Sequence, residues 1–321
     1  MRVQKVLTVL FSGFFITIAL LTILNFQSIF DWYRLRGYTP PAEIAVLADV
    51  TTMNSYGEKL FYVNRPELND KTTFQQNCTS AEASIVLGCY VSNRGIYIYD
   101  VQDDRLAGIE EVTAAHEMLH VGYERLNSSE RERVDQLTAE SFSQIKNKRI
   151  IDTVEQYRQA DASVVPNELH SILATEVAVL PAELEEHYKQ FFDDRSQVVA
   201  LAERYEAAFT KREEQIARFD RQLASLETSI NSARQEIDGL NIDLQNQRQQ
   251  LDGLLSSGNA SAYNNSVEDY NAAVQDYNRL LKSTEADIQS YNRLVKERNE
   301  IALEERELYQ SLDSRTLPQE Q

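Results

Sequence analysis

The hydrophobic and polar positions of this chain fall into three regimes. Val6 to Phe30 carries no charge, and it is apolar almost throughout as far as Leu24. A middle stretch mixes short apolar runs of strand period and of helical period. From Ile216 onward, apolar positions recur at alternating steps of three and four.

At about 1.5 Å per residue the first regime is long enough to cross a ~30 Å hydrocarbon layer. Arg2 and Lys5 precede it, and Trp32 and Tyr33 follow it where an aromatic belt would meet the lipid–water boundary. Residues 1–35 are therefore expected to form a transmembrane anchor spanning residues 6–30. A cleaved signal peptide is the alternative, but no small-x-small cleavage site follows the run.

The third regime predicts a coiled coil. One stripe runs through Ile216, Phe219, Leu223, Leu226, Ile230, Ala233, Ile237, Leu240, Leu244, Gln247, Leu251 and Leu254. Turn formers follow at Ser256-Ser257-Gly258-Asn259. A second stripe runs through Val267, Tyr270, Val274, Tyr277, Leu281, Thr284, Ile288, Tyr291 and Val295. No proline interrupts residues 182 to 317. Two such stripes around one turn predict an antiparallel hairpin over 201–315, with arms of roughly 70 Å, and a short tail over 316–321. Such an arm is a rigid spacer, a homodimerisation surface or a docking site for a coiled-coil partner. Heptads specify packing without saying what is packed.

The middle stretch, 36–200, is the size of one domain. Its first half reads as β. Ala83 to Val91 is a short apolar run, and Gly95 to Val101 alternates Ile and Tyr at period two. After Gly108 the period turns helical, through Ile109, Val112, Ala115 and Leu119. On that helix stands His116-Glu117-Met118-Leu119-His120, an H-E-x-x-H motif. Histidines four apart project from one helix face and can share a metal. Zinc held there lowers the pKa of a bound water toward about 7, and Glu117, beside the first histidine, is placed to take its proton. Zn2+ is thus the expected cofactor, with a peptide or protein as substrate.

A third ligand is sought downstream, in Asn167-Glu168-Leu169-His170-Ser171 and Ala174-Thr175-Glu176, on a helix opened by Pro166. A helical H-E-x-x-H followed on a second helix by a glutamate resembles the gluzincin metallopeptidases, the clan of thermolysin. Asn167-Glu168-x-x-Ser171 resembles the N-E-x-x-S-D that carries the third ligand there. Ile172 stands where that pattern has Asp, and the gap from His120 is longer than thermolysin's. The resemblance implies Glu168 as third ligand, with Glu176 the alternative and His170 behind both. His187 is read as a solvated residue, and Tyr123 and Tyr188 as candidate oxyanion donors. The strand over Ile96–Val101 is expected at the sheet edge, where a peptide adds as a further strand.

Composition sharpens the picture in two ways. A net charge of −18 repels a polyanion, so no nucleic-acid partner is expected. The two cysteines, Cys78 and Cys89, read as one disulfide, with two buried thiols the alternative. A disulfide places the body outside the cytoplasm, on a single-pass protein with a cytoplasmic N-terminus. The expected fold class is an α+β zincin-like metallopeptidase domain with an N-terminal transmembrane helix and a C-terminal antiparallel coiled-coil helical hairpin. The expected function is membrane-anchored zinc peptidase. The alternative is a scaffolding envelope protein whose coil binds a partner and whose zincin-like domain is non-catalytic.

Overall fold

The computed structural model describes residues 17, 21–22, 25–78 and 86–314. Helices dominate. In chain order they are α1 (Phe26–Leu35), α2 (Ala42–Val50), α3 (Ser55–Val63) and α4 (Lys71–Asn77), then α5 (Ile109–Glu124), α6 (Ser128–Phe142), α7 (Lys148–Ala160), α8 (Val165–Glu176) and α9 (Ala182–Tyr188). Two long helices close the chain, α10 (Arg195–Ser256) and α11 (Ala260–Leu312). Three short strands, β1 (Glu67–Asn69), β2 (Gly88–Val91) and β3 (Gly95–Tyr99), form one sheet in the order β1-β3-β2. β3 runs parallel to β1 and antiparallel to β2, with Cys89 opposite Tyr97.

This corrects the expected fold class. The first half of the middle stretch is helical, and the sheet is confined to strands of three, four and five residues. The reason is local capping. Asn54 accepts hydrogen bonds from the amides of Tyr56 and Gly57, and Asp70 accepts one from Thr73. Each satisfies free amides at the start of the helix that follows it. Of the run expected as strand over Ala83–Val91, Gly88–Val91 is strand, and 83–85 lie outside the described residues.

The expected membrane helix is corrected as well. Most of Val6–Phe30 lies outside the described residues. Among those described, no helix is long and apolar enough to cross a membrane. The ten residues of α1 rise only about 15 Å, half a hydrocarbon layer. α1 also buries Asp31, which takes both terminal nitrogens of Arg125, at 2.7 and 2.8 Å, and Lys59 at 2.9 Å. The single-pass, extracytoplasmic placement drawn from that anchor is corrected with it.

The chain divides into two compact units, residues 1–207 with 309–321, and residues 208–308. In the first, the core gathers Ile44, Leu60 and Phe61 from α2 and α3 with Ile96 and Ile98 from β3. It continues through Met118 and Leu119 of α5, Leu173 of α8, and Tyr188, Phe191 and Phe192 around the end of α9. A smaller cluster joins Ile150 and Val154 of α7 to Val165, Leu169 and Ile172 of α8.

In the second unit α10 and α11 run antiparallel, bridged by Arg212–Glu304 at 2.9 Å and Arg298–Asp220 at 3.0 Å. Gly258, at φ +71°, makes the turn between them. The stripe from Ile216 to Leu254 is the covered face of α10, with Ile230 and Leu251 buried. On α11 the stripe is also largely covered, with Thr284 buried and Val267, Tyr270, Val274, Tyr277, Ile288, Tyr291 and Val295 half-buried, and it departs at one position. Leu281 is exposed and Leu294 is buried, because the apolar neighbours Leu280-Leu281 and Leu294-Val295 offer two registers and the partner helix takes the earlier one.

Candidate metal centre

α5 starts on Gly108, whose φ of +110° suits glycine and turns the chain sharply out of the sheet into the helix. Its buried face, including Val112, Ala115, Met118 and Leu119, rests on the core, and the helix packs along α8. α8 opens with Pro166 in its first turn, where a missing amide costs nothing. Its C-terminal end is closed by Arg195, buried at the start of α10. The guanidinium donates to the carbonyls of Ala174 (2.9 Å), Val177 (2.8 Å) and Ala178 (3.2 Å), and also pairs with Glu185. These are carbonyls a helix end leaves without partners. Two helices fixed in this way bring their polar residues to one point.

There the side chains of His116, His120 and Glu168 meet, with one ligand atom of each lying within 4.8 Å of the others. His116 Nε2 is 3.4 Å from Glu168 Oε2, and His120 Nε2 is 3.6 Å from Glu168 Oε1. The two imidazoles stand edge to face, with centroids 4.7 Å apart. His120 Nδ1 lies 3.0 Å from Asn167 Oδ1 and 3.3 Å from Ser171 Oγ. An amide oxygen can only accept, so Nδ1 carries the proton and Nε2 turns its lone pair to the centre. Glu168 Oε2 is buried and makes no hydrogen bond among the described residues. Burial alone would raise the Glu168 carboxyl, but the adjoining His120 and His116 imidazoles, followed by the hydroxyl of Tyr157, hold its pKa below the usual range.

Donor separations of 3.4 and 3.6 Å fit the roughly 3.3 Å edge of a tetrahedron with zinc–ligand bonds of about 2.0–2.1 Å. A buried carboxylate oxygen without a hydrogen-bond donor is costly on its own and suits a cation. The residues present therefore fit a divalent metal.

The other residues singled out in the sequence fall elsewhere. Glu176 pairs with Arg149, which also holds Glu206, so its carboxylate is committed away from the histidines. His170 is fully buried behind α5, with Nε2 2.9 Å from His187 Nε2. Burial, followed by the nearby histidines, keeps His170 well below its usual pKa. Burial, followed by Arg133, lowers His187 to about 4. His187, expected as solvated, is thus one half of a neutral imidazole pair packed on Phe191. Tyr188 is buried and donates to the His170 carbonyl at 2.8 Å. Tyr123 borders the site, but its hydroxyl is donated to Asp135 at 2.7 Å.

A cavity of about 570 Å³ opens over these three residues, walled by Gly88, Tyr90, Glu117, Tyr123, Arg131 and Tyr157 among others. Glu117 is 5% exposed, at the floor beneath β2. The strand beside the site is β2, not the β3 expected; β3 is central and four of its five residues are buried. The Tyr99 amide donates to Leu87. The alternation of an antiparallel ladder then turns the main-chain groups of Gly88 and Tyr90 outward. Tyr157 and Arg131 carry no signal in the sequence, because nothing local ties α6 and α7 to the motif. Asn167 and Ser171 flank the glutamate and were legible only as part of its motif.

No model of a protein family, no curated protein and no solved structure matches this chain.

Proposed function

We propose that this chain is a zinc-dependent peptidase that hydrolyses peptide bonds in an extended segment laid along β2. The observation that carries the reading is the convergence of His116, His120 and Glu168, with Glu168 Oε2 buried and lacking a hydrogen bond. These three residues would hold Zn2+, which when bound would supply Lewis acidity and lower the pKa of a bound water toward about 7.

The chain's own groups do the rest. Glu117, on the floor of the same cavity, accepts the proton of the attacking water and returns it to the departing amine. Asn167 and Ser171 hold His120 in the tautomer that faces the centre. The outward main-chain groups of Gly88 and Tyr90 pair with the substrate backbone as an added strand. The local resemblance to the gluzincins supports the same assignment of roles.

The test is zinc content read beside turnover of a generic unfolded protein. The wild type should carry one zinc per chain and cleave. Glu117→Gln should keep the metal and lose turnover by at least about a hundredfold, because the amide cannot take a proton. No bound divalent metal, or turnover surviving in the variant, overturns the reading.

A second reading is favoured by the arm itself. α10 and α11 form a long antiparallel pair closed by a single turn at Gly258, an arm of the kind that holds or spaces partners. A scaffold of this kind needs no general base. Retention of function by Glu117→Gln in the protein's native setting would select it.

A further inference from the structure

We infer that Arg131 is the anchor for a carboxylate on the substrate: its guanidinium stands in the wall of the cavity that holds His116, His120 and Glu117, with no acid of the described residues paired to it. The inference rests on the peptidase reading and narrows its substrate to peptides that carry an anionic group close to the scissile bond.

Arg131 lies in the first turns of α6, on the side facing the end of α5. Its guanidinium stacks 4.9 Å above the Tyr123 ring. Nη2 donates to the carbonyls of Tyr123 (3.2 Å) and Glu124 (3.3 Å), which cap the last turn of α5. The fork is therefore held in place before any ligand arrives. Capping employs one nitrogen of three, and Nε is buried without a hydrogen bond among the described residues.

The acids that would ordinarily neutralise it are committed to hydroxyls. Asp135, four residues along the same helix, is the natural partner of an arginine, but it takes the Tyr123 hydroxyl at 2.7 Å. Glu124 takes the hydroxyls of Tyr90 at 2.8 Å and Ser92 at 3.4 Å. Among the described residues, Arg131 is the one Arg or Lys lining the cavity, against Glu117, Glu124 and Glu168. In a wall that otherwise carries Glu117, Glu124 and Glu168, the guanidinium is the side chain on which a substrate anion would settle. Nη1 takes no part in the cap and leaves a charged donor for a carboxylate.

Position sets the reach. Tyr123 follows His120 by one turn of α5, about 5 Å along the axis, which is one to two residues of extended chain at about 3.3 Å each. The guanidinium stacked on Tyr123 lines the same cavity, so the anion belongs close to the bond cut. It is either the C-terminal carboxylate or an acidic side chain at that place.

The test uses the full chain loaded with zinc and three versions of one short peptide: free C-terminal acid, C-terminal amide, and amide with Glu in the penultimate place. Binding is measured by calorimetry on Glu117→Gln protein, and cleavage on the wild type. At least one anionic peptide should bind roughly tenfold tighter than the neutral amide, and the same preference should appear in KM. Which anionic peptide gains tells the terminal carboxylate from the side chain. Introducing Arg131→Gln should bring the ratio of anionic to neutral peptide close to one, and Arg131→Lys should restore part of it, with melting curves confirming that both variants fold. Equal binding of all three peptides to the arginine form, or a preference that persists in Arg131→Gln, overturns the inference. If the Arg131-dependent preference is found but no peptide is cleaved, the anchor stands and the peptidase reading falls.

Discussion

Gly88 and Glu117 touch across the floor of the site. A Cβ at Gly88 would lie 2.7 Å from Glu117 Oε1, 2.8 Å from its Cγ and 2.5 Å from Thr113 Cγ2. The absence of a side chain at 88 thus lets the carboxylate rest directly beneath the strand that would pair with a substrate. Gly88→Ala should displace Glu117 while leaving both histidines and Glu168 in place. The expected outcome is a fall in kcat of at least about tenfold with zinc content unchanged. Thr113→Ser on that background should not restore activity, since the clash with Glu117 remains. Steady-state kinetics beside metal analysis decide it; an unchanged kcat would show that the contact positions nothing.

Glu168 and Glu176 share a helix, but eight residues separate them, about 12 Å along the axis. Glu168→Ala removes an anionic donor from the centre and should weaken zinc binding by more than the roughly 10–100-fold lost with a supporting partner. Glu176→Ala breaks the pairing with Arg149 and should leave zinc affinity near that of the wild type. Zinc titration with a competing chelator measures both. Reversed ranks would exchange the two roles.

Cys78 and Cys89 are joined, with Cα atoms 6.0 Å apart and eleven residues of separation. The bond ties the end of α4 to β2. By loop-closure entropy it should contribute about 3 kcal/mol, so Cys78→Ala with Cys89→Ala should lower the unfolding free energy by roughly that amount in a urea titration. Both cysteines also line the cavity, so reduction should impair turnover before the chain unfolds. A reduced protein of full stability would count against the bond.

Glu110 stands in the first turn of α5 and accepts the Val101 amide at 2.7 Å. Burial raises its pKa to about 7, with Asp100 and Glu111 adding to the rise against the Val101 hydrogen bond. The folded chain therefore holds a proton that an unfolded glutamate, titrating near 4.5, has already lost. Between about pH 4.5 and 7 the native state binds more protons than the unfolded state, so this group's contribution to stability falls as pH rises. Glu110→Gln keeps the acceptor oxygen and removes the charge. It should be more stable than the wild type at pH 8, with the difference shrinking to nothing near pH 4. Paired urea titrations across that range check the slope; two parallel curves would rule out the buried carboxyl as its source.

The metal motif was legible in the sequence because its geometry is local. Residues four apart on a helix share a face whatever surrounds them, so His116 and His120 were paired by spacing alone. The covered face of α10 is local in the same sense. So is β3, where Ile and Tyr alternate between turn residues. The third donor was nameable only through a resemblance, since nothing within α8 distinguishes Glu168 from Glu176.

Tertiary structure brought Glu168, and not Glu176, to the two histidines, by committing Glu176 to Arg149 and closing α8 on Arg195. It also decided which strand borders the site, which of two registers α11 presents, and that most of the first domain's elements are helices. It set Arg131 and Tyr157 in the cavity wall from helices with no motif of their own. Periodicity describes one element's own faces. Which face meets which neighbour depends on contacts between residues distant in the chain, and these are won by the packing of the whole core against the entropy of closing its loops.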